Sequence, residues 1–257
     1  MVSVDVSNVV RKMDELKRVV IYTALFGDYD ELPESIKPHG VDCICFTDQA
    51  ALSSEMWKIV YVDSSEFLPN VLNRRYKFLP HEYLREYDYS IYVDANIAIV
   101  GSPLSLFDEL DDQHPIAMYR HPFRDNLFDE AKVCLKVGYS AYLPVVKQLK
   151  NYVNEGYDGN GVFFECGVIV RRHLDARCIT LMRDWLVEYS NGIKRDQISL
   201  PYVSWKHQLD IVNLGNSDPR FYHKLFKLNG KHKKGRALKQ KFLGVLNYFI
   251  ILFYWKF

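Results

Sequence analysis

Residues 89–96 read YSIYVDAN, five β-branched, aromatic or small residues followed by an Asp, an Ala and an Asn. An apolar run of that length fits a strand buried on both faces, and it ends where carboxylate and amide oxygens begin. Asp94 and Asn96 stand two apart at that end, so they project to one side and can reach one ligand. Upstream, Val19 to Leu25 (VVIYTAL), Cys43 to Thr47 (CICFT) and Trp57 to Val62 (WKIVYV) read as strands. Downstream, Ile116 to Tyr119 and Val162 to Val170 do the same. Helical patterns separate them: Pro69 to Leu79, Leu104 to Leu110, a segment capped by Asp125 or Asn126 and running to Val137, and Pro144 to about Asn154. Two more follow, Asp175 to Tyr189 and a short helix from Arg195 that stops before Pro201. Strands alternating with helices predict an α/β fold with a mostly parallel sheet.

In such sheets ligands gather at the carboxyl ends of strands. Three stretches qualify: Phe26-Gly27-Asp28-Tyr29-Asp30, Phe46-Thr47-Asp48 and Asp94-Ala95-Asn96. A single Asp there is usually a turn or cap residue, but three together point to one crevice. Oxygen ligands suit a hard divalent cation, Mg²⁺ or Mn²⁺, that would neutralise a departing diphosphate. Arg74, Arg75 and Lys77 precede this strand and can meet phosphates or form a solvated face. Glu165 interrupts an apolar strand, which costs desolvation unless it is paired or used. Asp196 and Gln197 open the next helix, and His207 is the histidine assigned to a third metal position. No G-x-G-x-x-G, Walker A or G-x-S-x-G sequence is present, which argues against dinucleotide, P-loop and esterase chemistry.

Composition bounds the rest. With 48% apolar and 25% charged residues over 257 positions, the chain folds around its own core, and disordered or fibrous classes are excluded. Its five cysteines, including the Cys43-x-Cys45 pair, match no zinc spacing and read as buried free thiols in a reducing compartment. The first residues carry charges and no apolar h-region, so a cytoplasmic body is expected. The net charge of +1 conceals a division: residues 219–257 hold ten Lys or Arg and no acid, leaving residues 1–218 at −9. An acidic body argues against nucleic acid as the main partner. Residues 1–218 are read as one domain and 219–257 as a basic, apolar tail.

The ordered set Tyr22-Thr23-Ala24-x-Phe26-Gly27-x-Tyr29-Asp30, Phe46-Thr47-Asp48, Arg74-Arg75-x-Lys77-x-x-Pro80-His81, Tyr92-x-Asp94, His121-Pro122, Glu130-Ala131, Glu165, Arg171-Arg172-His173 and Arg195-Asp196-Gln197-x-Ser199 spans Val19 to Trp205. It resembles the glycosyltransferase-like domain of plant mucilage and pectin-synthesis proteins and bacterial polysaccharide-cluster proteins. It is also similar, at Glu165-Cys166-Gly167 and Asp196-Gln197, to glycogenin-type transferases. The resemblance implies a GT-A fold, Rossmann-like, that binds a UDP-sugar and a divalent metal. On that footing Tyr22, Ala24 and Asp48 would hold the nucleoside, and Arg75 and Lys77 the diphosphate. Asp94 and Asn96 would stand for the D-x-D metal motif, and Asp196 or Gln197 would face the sugar. Glu165 or Asp196 would serve as base or charge stabiliser, inversion and retention both being open. Asn96 and Glu165 depart from the motifs that bind metal and define the glycogenin site.

The expected activity is sugar transfer from a nucleotide sugar to a polysaccharide, glycolipid or lipid-linked glycan. Its alternatives are a metal-dependent hydrolase of a membrane lipid and a non-catalytic nucleotide-sugar-binding scaffold. Phe242 to Trp255 (FLGVLNYFIILFYW) is uncharged over 14 residues, too short to span a bilayer, which needs ~20. Beside the cationic stretch it fits an anionic membrane surface, on the inner face of the plasma membrane, or a helix packed on the acidic body.

Overall fold

The computed structural model describes residues 18–27, 30–64, 66–229 and 238–255. Asp28 and Tyr29 of the first motif, and Lys231, Lys233, Lys234 and Arg236 of the tail, lie outside the described residues.

A seven-stranded sheet forms the centre, in the order β3-β2-β1-β4-β7-β6-β8. It comprises β1 (Val19–Leu25), β2 (Asp42–Thr47), β3 (Lys58–Tyr61), β4 (Tyr89–Val93), β6 (Ile116–Arg120), β7 (Phe164–Arg171) and β8 (Val212–Asn216). The strands β3, β2, β1 and β4 are parallel, while β7 runs antiparallel between β4 and β6. A second small sheet pairs β5 (Ile97–Ile99) with β9 (Phe226–Leu228). The expected α/β architecture with a largely parallel sheet is therefore the observed one.

Alternation along β1 builds both cores. Val20, Tyr22 and Ala24 join the cluster under the helices, whereas Ile21, Leu25, Cys43 and Cys45 face the opposite layer. All five cysteines are free and buried. The helical layer contains α1 (Pro69–Phe78), α2 (Pro80–Tyr83), α3 (Leu127–Val137), α4 (Tyr142–Asn154), α5 (Ala176–Asn191) and α6 (Asp196–His207). Phe78 of α1 stacks on Trp185 of α5 at 4.0 Å between ring centroids, and both are fully buried. Burial of each such ring stabilises by ~1.5–3 kcal/mol.

Local signals set the helix limits. Pro69 opens α1 at its first turn, Asn126 accepts from the Asp129 amide at 2.9 Å to cap α3, and Asp175 caps α5. The helix expected to end before Pro201 instead continues to His207. Pro201 lies in the second turn of α6, where its ring removes one hydrogen bond but packing of Ile198, Leu200, Tyr202 and Val203 holds the helix on course.

Residues 219–228 belong to the packed body, although their charge suggested the start of the tail. The short turn α7 (Asp218–Phe221) is buried at its start, and Asp218 accepts from the amides of Lys224, Leu225 and Phe226, which leads into β9. The apolar tail forms α8 (Leu238–Tyr254) and docks on the end of α3. Gly138 there has φ 79°, and a Cβ on Gly244 would meet Lys136 O at 2.6 Å, so the two backbones touch. Asn247 donates to the carbonyls of Leu135 at 3.0 Å and Ser140 at 2.8 Å. Only the stripe Gly244, Asn247 and Ile251 is buried; Phe242, Val245, Phe249, Leu252 and Phe253 are exposed. No described helix is long and apolar enough to cross a membrane.

Candidate functional site

From β1 the chain steps outward to β2 and β3, then returns to form β4 on the other side of β1. The strand order thus reverses between β1 and β4, the position at which open α/β sheets leave a crevice beyond their carboxyl ends. A cavity of about 760 Å³ lies there, bordered by Ala24, Phe26, Tyr92, Asp94, Asn96 and Glu165 among others. That volume accommodates a ligand the size of a nucleotide sugar.

Lys77 lies beneath the cavity. Its Nζ is 2.8 Å from Asp196 Oδ2 and 3.1 Å from Asp94 Oδ1, and its side chain is 2% exposed. Burial disfavours the ammonium, but Asp196 and Asp94 outweigh it and raise the Lys77 pKa above its ordinary value. Arg74, one turn earlier, donates from Nε to Asp196 Oδ1 at 2.7 Å. Burial raises the Asp196 carboxyl, yet Arg74 and Lys77 hold it well below the usual carboxylate range. Asp196 is therefore a fixed anion with both oxygens engaged. Burial and Asp94 push the Tyr92 phenol far above its ordinary value, and Lys77 Nζ lies 5.0 Å from the Tyr92 ring centroid.

Three further arginines ring the opening, each anchored through Nε to a carboxylate. Arg195 and Arg124 share Glu130, the former at 2.8 Å, and Arg220 pairs with Glu165. Glu130 is 1% exposed, so the pair of guanidiniums compensates a buried anion. Arg74, Arg124, Arg195 and Arg220 all line the cavity. Burial, with Arg124, Arg195 and Arg220 nearby, pushes His121 down to about 3, so this ring is neutral. Glu165 also accepts from Ser217, while the Gln197 amide donates to the Glu165 carbonyl at 2.7 Å. Between Glu165 and Gly167, Cys166 adopts φ 65°, a left-handed conformation rare inside a strand. Gly167 keeps this floor low: a Cβ there would come within 3.1 Å of Ile97 Cδ1 and 3.5 Å of Asp94 Oδ2.

Ala24, Asp94, Asn96, Glu165 and Gln197 are thus brought together around one cavity. Tyr22 is not: it is fully buried, its hydroxyl donates to Lys77 O at 3.1 Å and accepts from Arg171, and burial raises it to about 12. It supports α1 from behind, so the expected nucleoside contact is not open to it. Asp48 accepts from the Gly27 amide at 2.9 Å and Gln49 donates to the Gly27 carbonyl at 2.7 Å, which fixes the turn after β1. Arg75 points away from Lys77, donating to the Tyr83 hydroxyl at 2.7 Å and pairing with Glu82; Arg74 takes the cavity position expected of it. His207 pairs with Asp184 at 2.8 Å and borders a separate groove with Gln113 and Thr180, which removes it from Asp94. Two residues of the site, Arg124 and Arg220, had no place among the candidates. Arg74 was one of three cations offered to the phosphates, Glu130 stood in the motif string, and Arg124 and Arg220 carried no local signal.

The donor set fits a divalent cation poorly. Asp94 and Asn96 supply one carboxylate and one neutral oxygen, and Asp94 Oδ1 is already taken by Lys77. Among the described residues no group of three His, Cys, Asp or Glu is placed to hold a metal ion. A hydrolase built on metal-activated water finds no matching ligand set in these residues.

Comparison with known proteins supplies the family. The model of the TOD1/MUCI70, glycosyltransferase-like domain matches residues 3–231, most of the chain, and the chain belongs to this family. A search of curated proteins finds no match.

Proposed function

We propose that this member of the family transfers a sugar from a nucleoside diphosphate donor, a UDP-sugar, to a polysaccharide or lipid-linked glycan. One observation carries the reading: Arg74, Arg124, Arg195 and Arg220, each held by a carboxylate, border the cavity at the β1/β4 reversal. Negative charge grows on the diphosphate as the glycosidic bond breaks. Guanidiniums already fixed in position stabilise that charge without reorganising, and removing one such donor typically costs ~10²–10³ in rate. Ala24, near the end of β1, and Phe26, just beyond it, border the side of the cavity given to the nucleoside, and Gln197 faces the sugar. Asp196 is locked between two cations and positions them. Acceptor deprotonation or oxocarbenium stabilisation falls to Asp94, which opens on the cavity, because both Glu165 oxygens are engaged by Arg220 and Ser217.

The test is release of nucleoside diphosphate from a panel of nucleotide sugars, with membranes or oligosaccharides as acceptors. Wild type is expected to turn over one UDP-sugar, and Arg220→Ala to lose ~10²-fold. Nucleotide binding without turnover of any donor would favour the scaffold reading.

The exposed face of α8 supports a peripheral position on the inner face of the plasma membrane. Phe242, Phe249 and Phe253 are 74%, 57% and 77% exposed, with Lys239 and Lys241 at the start of the helix. Aromatic residues on one side and cations at one end suit an anionic lipid surface, each cation contributing about 1 kcal/mol. Such an attachment would bring the cavity to a lipid-linked acceptor.

A further inference from the structure

In a D-x-D site, two carboxylates bind a divalent cation that in turn holds the diphosphate. This chain has a different charge arrangement at the same strand end. Asp94 is the only carboxylate of its motif, and its Oδ1 is 3.1 Å from the ammonium of Lys77. Position 96 is Asn, a neutral donor, and the expected third ligand His207 pairs with Asp184 elsewhere. Lys77 is itself fixed: Asp196 holds its Nζ at 2.8 Å, and Arg171 and Tyr22 hold its carbonyl at 2.9 and 3.1 Å. A divalent ion entering at Asp94 would meet a permanent ammonium, with half of the carboxylate already neutralised.

The charges set around the cavity favour an anion over a cation. Arg74, Lys77, Arg124, Lys194, Arg195 and Arg220 border or underlie the cavity, against Asp30, Asp94, Glu130, Glu165 and Asp196. Six cations against five anions leave the empty site slightly positive, which attracts an anion and repels a divalent ion that arrives alone.

We infer that the donor site takes its nucleoside diphosphate without a divalent cation, the buried Lys77–Asp94 pair standing where other transferases carry metal. This rests on the donor-site reading proposed above. Lys77 is a positioning residue: it fixes Asp94 and, through Asp196, orients Arg74 toward the phosphates. The arginines supply the direct contacts.

The test is calorimetric titration of UDP into wild-type protein, once in EDTA and once in Mn²⁺. Equal affinity in the two buffers, within about threefold, is expected. A tightening of tenfold or more in Mn²⁺ would overturn the inference while leaving the donor site intact. Absence of UDP binding in both buffers would overturn the donor-site reading and this inference with it. Lys77→Met, checked for folding by circular dichroism, is expected to bind UDP at least tenfold more weakly in EDTA and to gain Mn²⁺ binding measurable by electron paramagnetic resonance. A folded Lys77→Met that binds UDP as wild type does in EDTA would contradict the role given to Lys77. If that variant does not fold, the wild-type comparison decides alone.

Discussion

Lys77 and Asp94 form an unequal ion pair: the lysine side chain is 2% exposed and the aspartate 37%, with 3.1 Å between them. The cation is buried in the body and the anion opens on the cavity. Asp196 supplies the second contact that lets an ammonium remain charged at this depth. The stability of the fold and the electrostatics of the site therefore depend on the same few side chains.

Replacing Asp196 exposes that dependence. Asp196→Asn keeps the shape but leaves Arg74 and Lys77 without their shared anion, and breaking a buried pair typically costs ~3–5 kcal/mol. The urea midpoint is expected to fall with the slope unchanged, as a loss of stability without a change in exposed surface requires. A midpoint equal to wild type would mean that the network is not coupled to folding.

Tyr22 and Arg74 give opposite signatures. Tyr22→Phe removes a buried hydroxyl that braces the Lys77 carbonyl, with an expected cost of ~1–2 kcal/mol in stability and less than threefold in UDP affinity. Arg74→Ala is expected to weaken UDP at least tenfold, since it borders the cavity. Paired denaturation and calorimetry separate the two; the reverse pattern would return Tyr22 to a ligand contact.

Acid should erode stability before any carboxylate titrates. Burial depresses His121 to about 3 and His173 to about 4, both below the ordinary value of 6.5. Between those limits the unfolded chain binds more protons than the native one, so stability rises with pH and is fully present above 6.5. From pH 6.5 to 5 the loss is up to about 2 kcal/mol per histidine. Asp196, also depressed in the native state, adds its loss only below the ordinary carboxylate range. Urea midpoints at pH 5 and 7.5 test the sign, and His173→Gln should flatten part of the slope.

The exposed face of α8 predicts lipid binding that can be removed without touching the site. Phe249→Glu with Phe253→Glu should abolish sedimentation with phosphatidylglycerol-containing vesicles and leave UDP affinity unchanged. Binding that survives both substitutions would assign these residues to another surface.

Most of the architecture was legible in the sequence because strand and helix periods are local. VVIYTAL, CICFT and YSIYV mark β1, β2 and β4 within a residue, and Asn126 and Asp175 cap the helices they precede. The choice of Arg75 beside Lys77 failed on helix geometry: residues two apart point about 160° away from each other, whereas Arg74 and Lys77 share a face. That correction was available from spacing alone. The Arg220–Glu165 pair was not, since 55 residues separate its members and only the packing of α7 joins them. Composition also assigned Arg220 to the tail, because a count of charge cannot register that β9 pairs with β5. His207 looked free as a ligand until α5 supplied Asp184.

The most direct measurement is a crystal structure of the protein grown with UDP. The account predicts the diphosphate in the cavity between β1 and β4, within ion-pair distance of Arg74 and at least one of Arg195 and Arg220, with the uracil against Ala24 and Phe26. UDP bound in another groove, or a cavity left empty at saturating UDP, would contradict it.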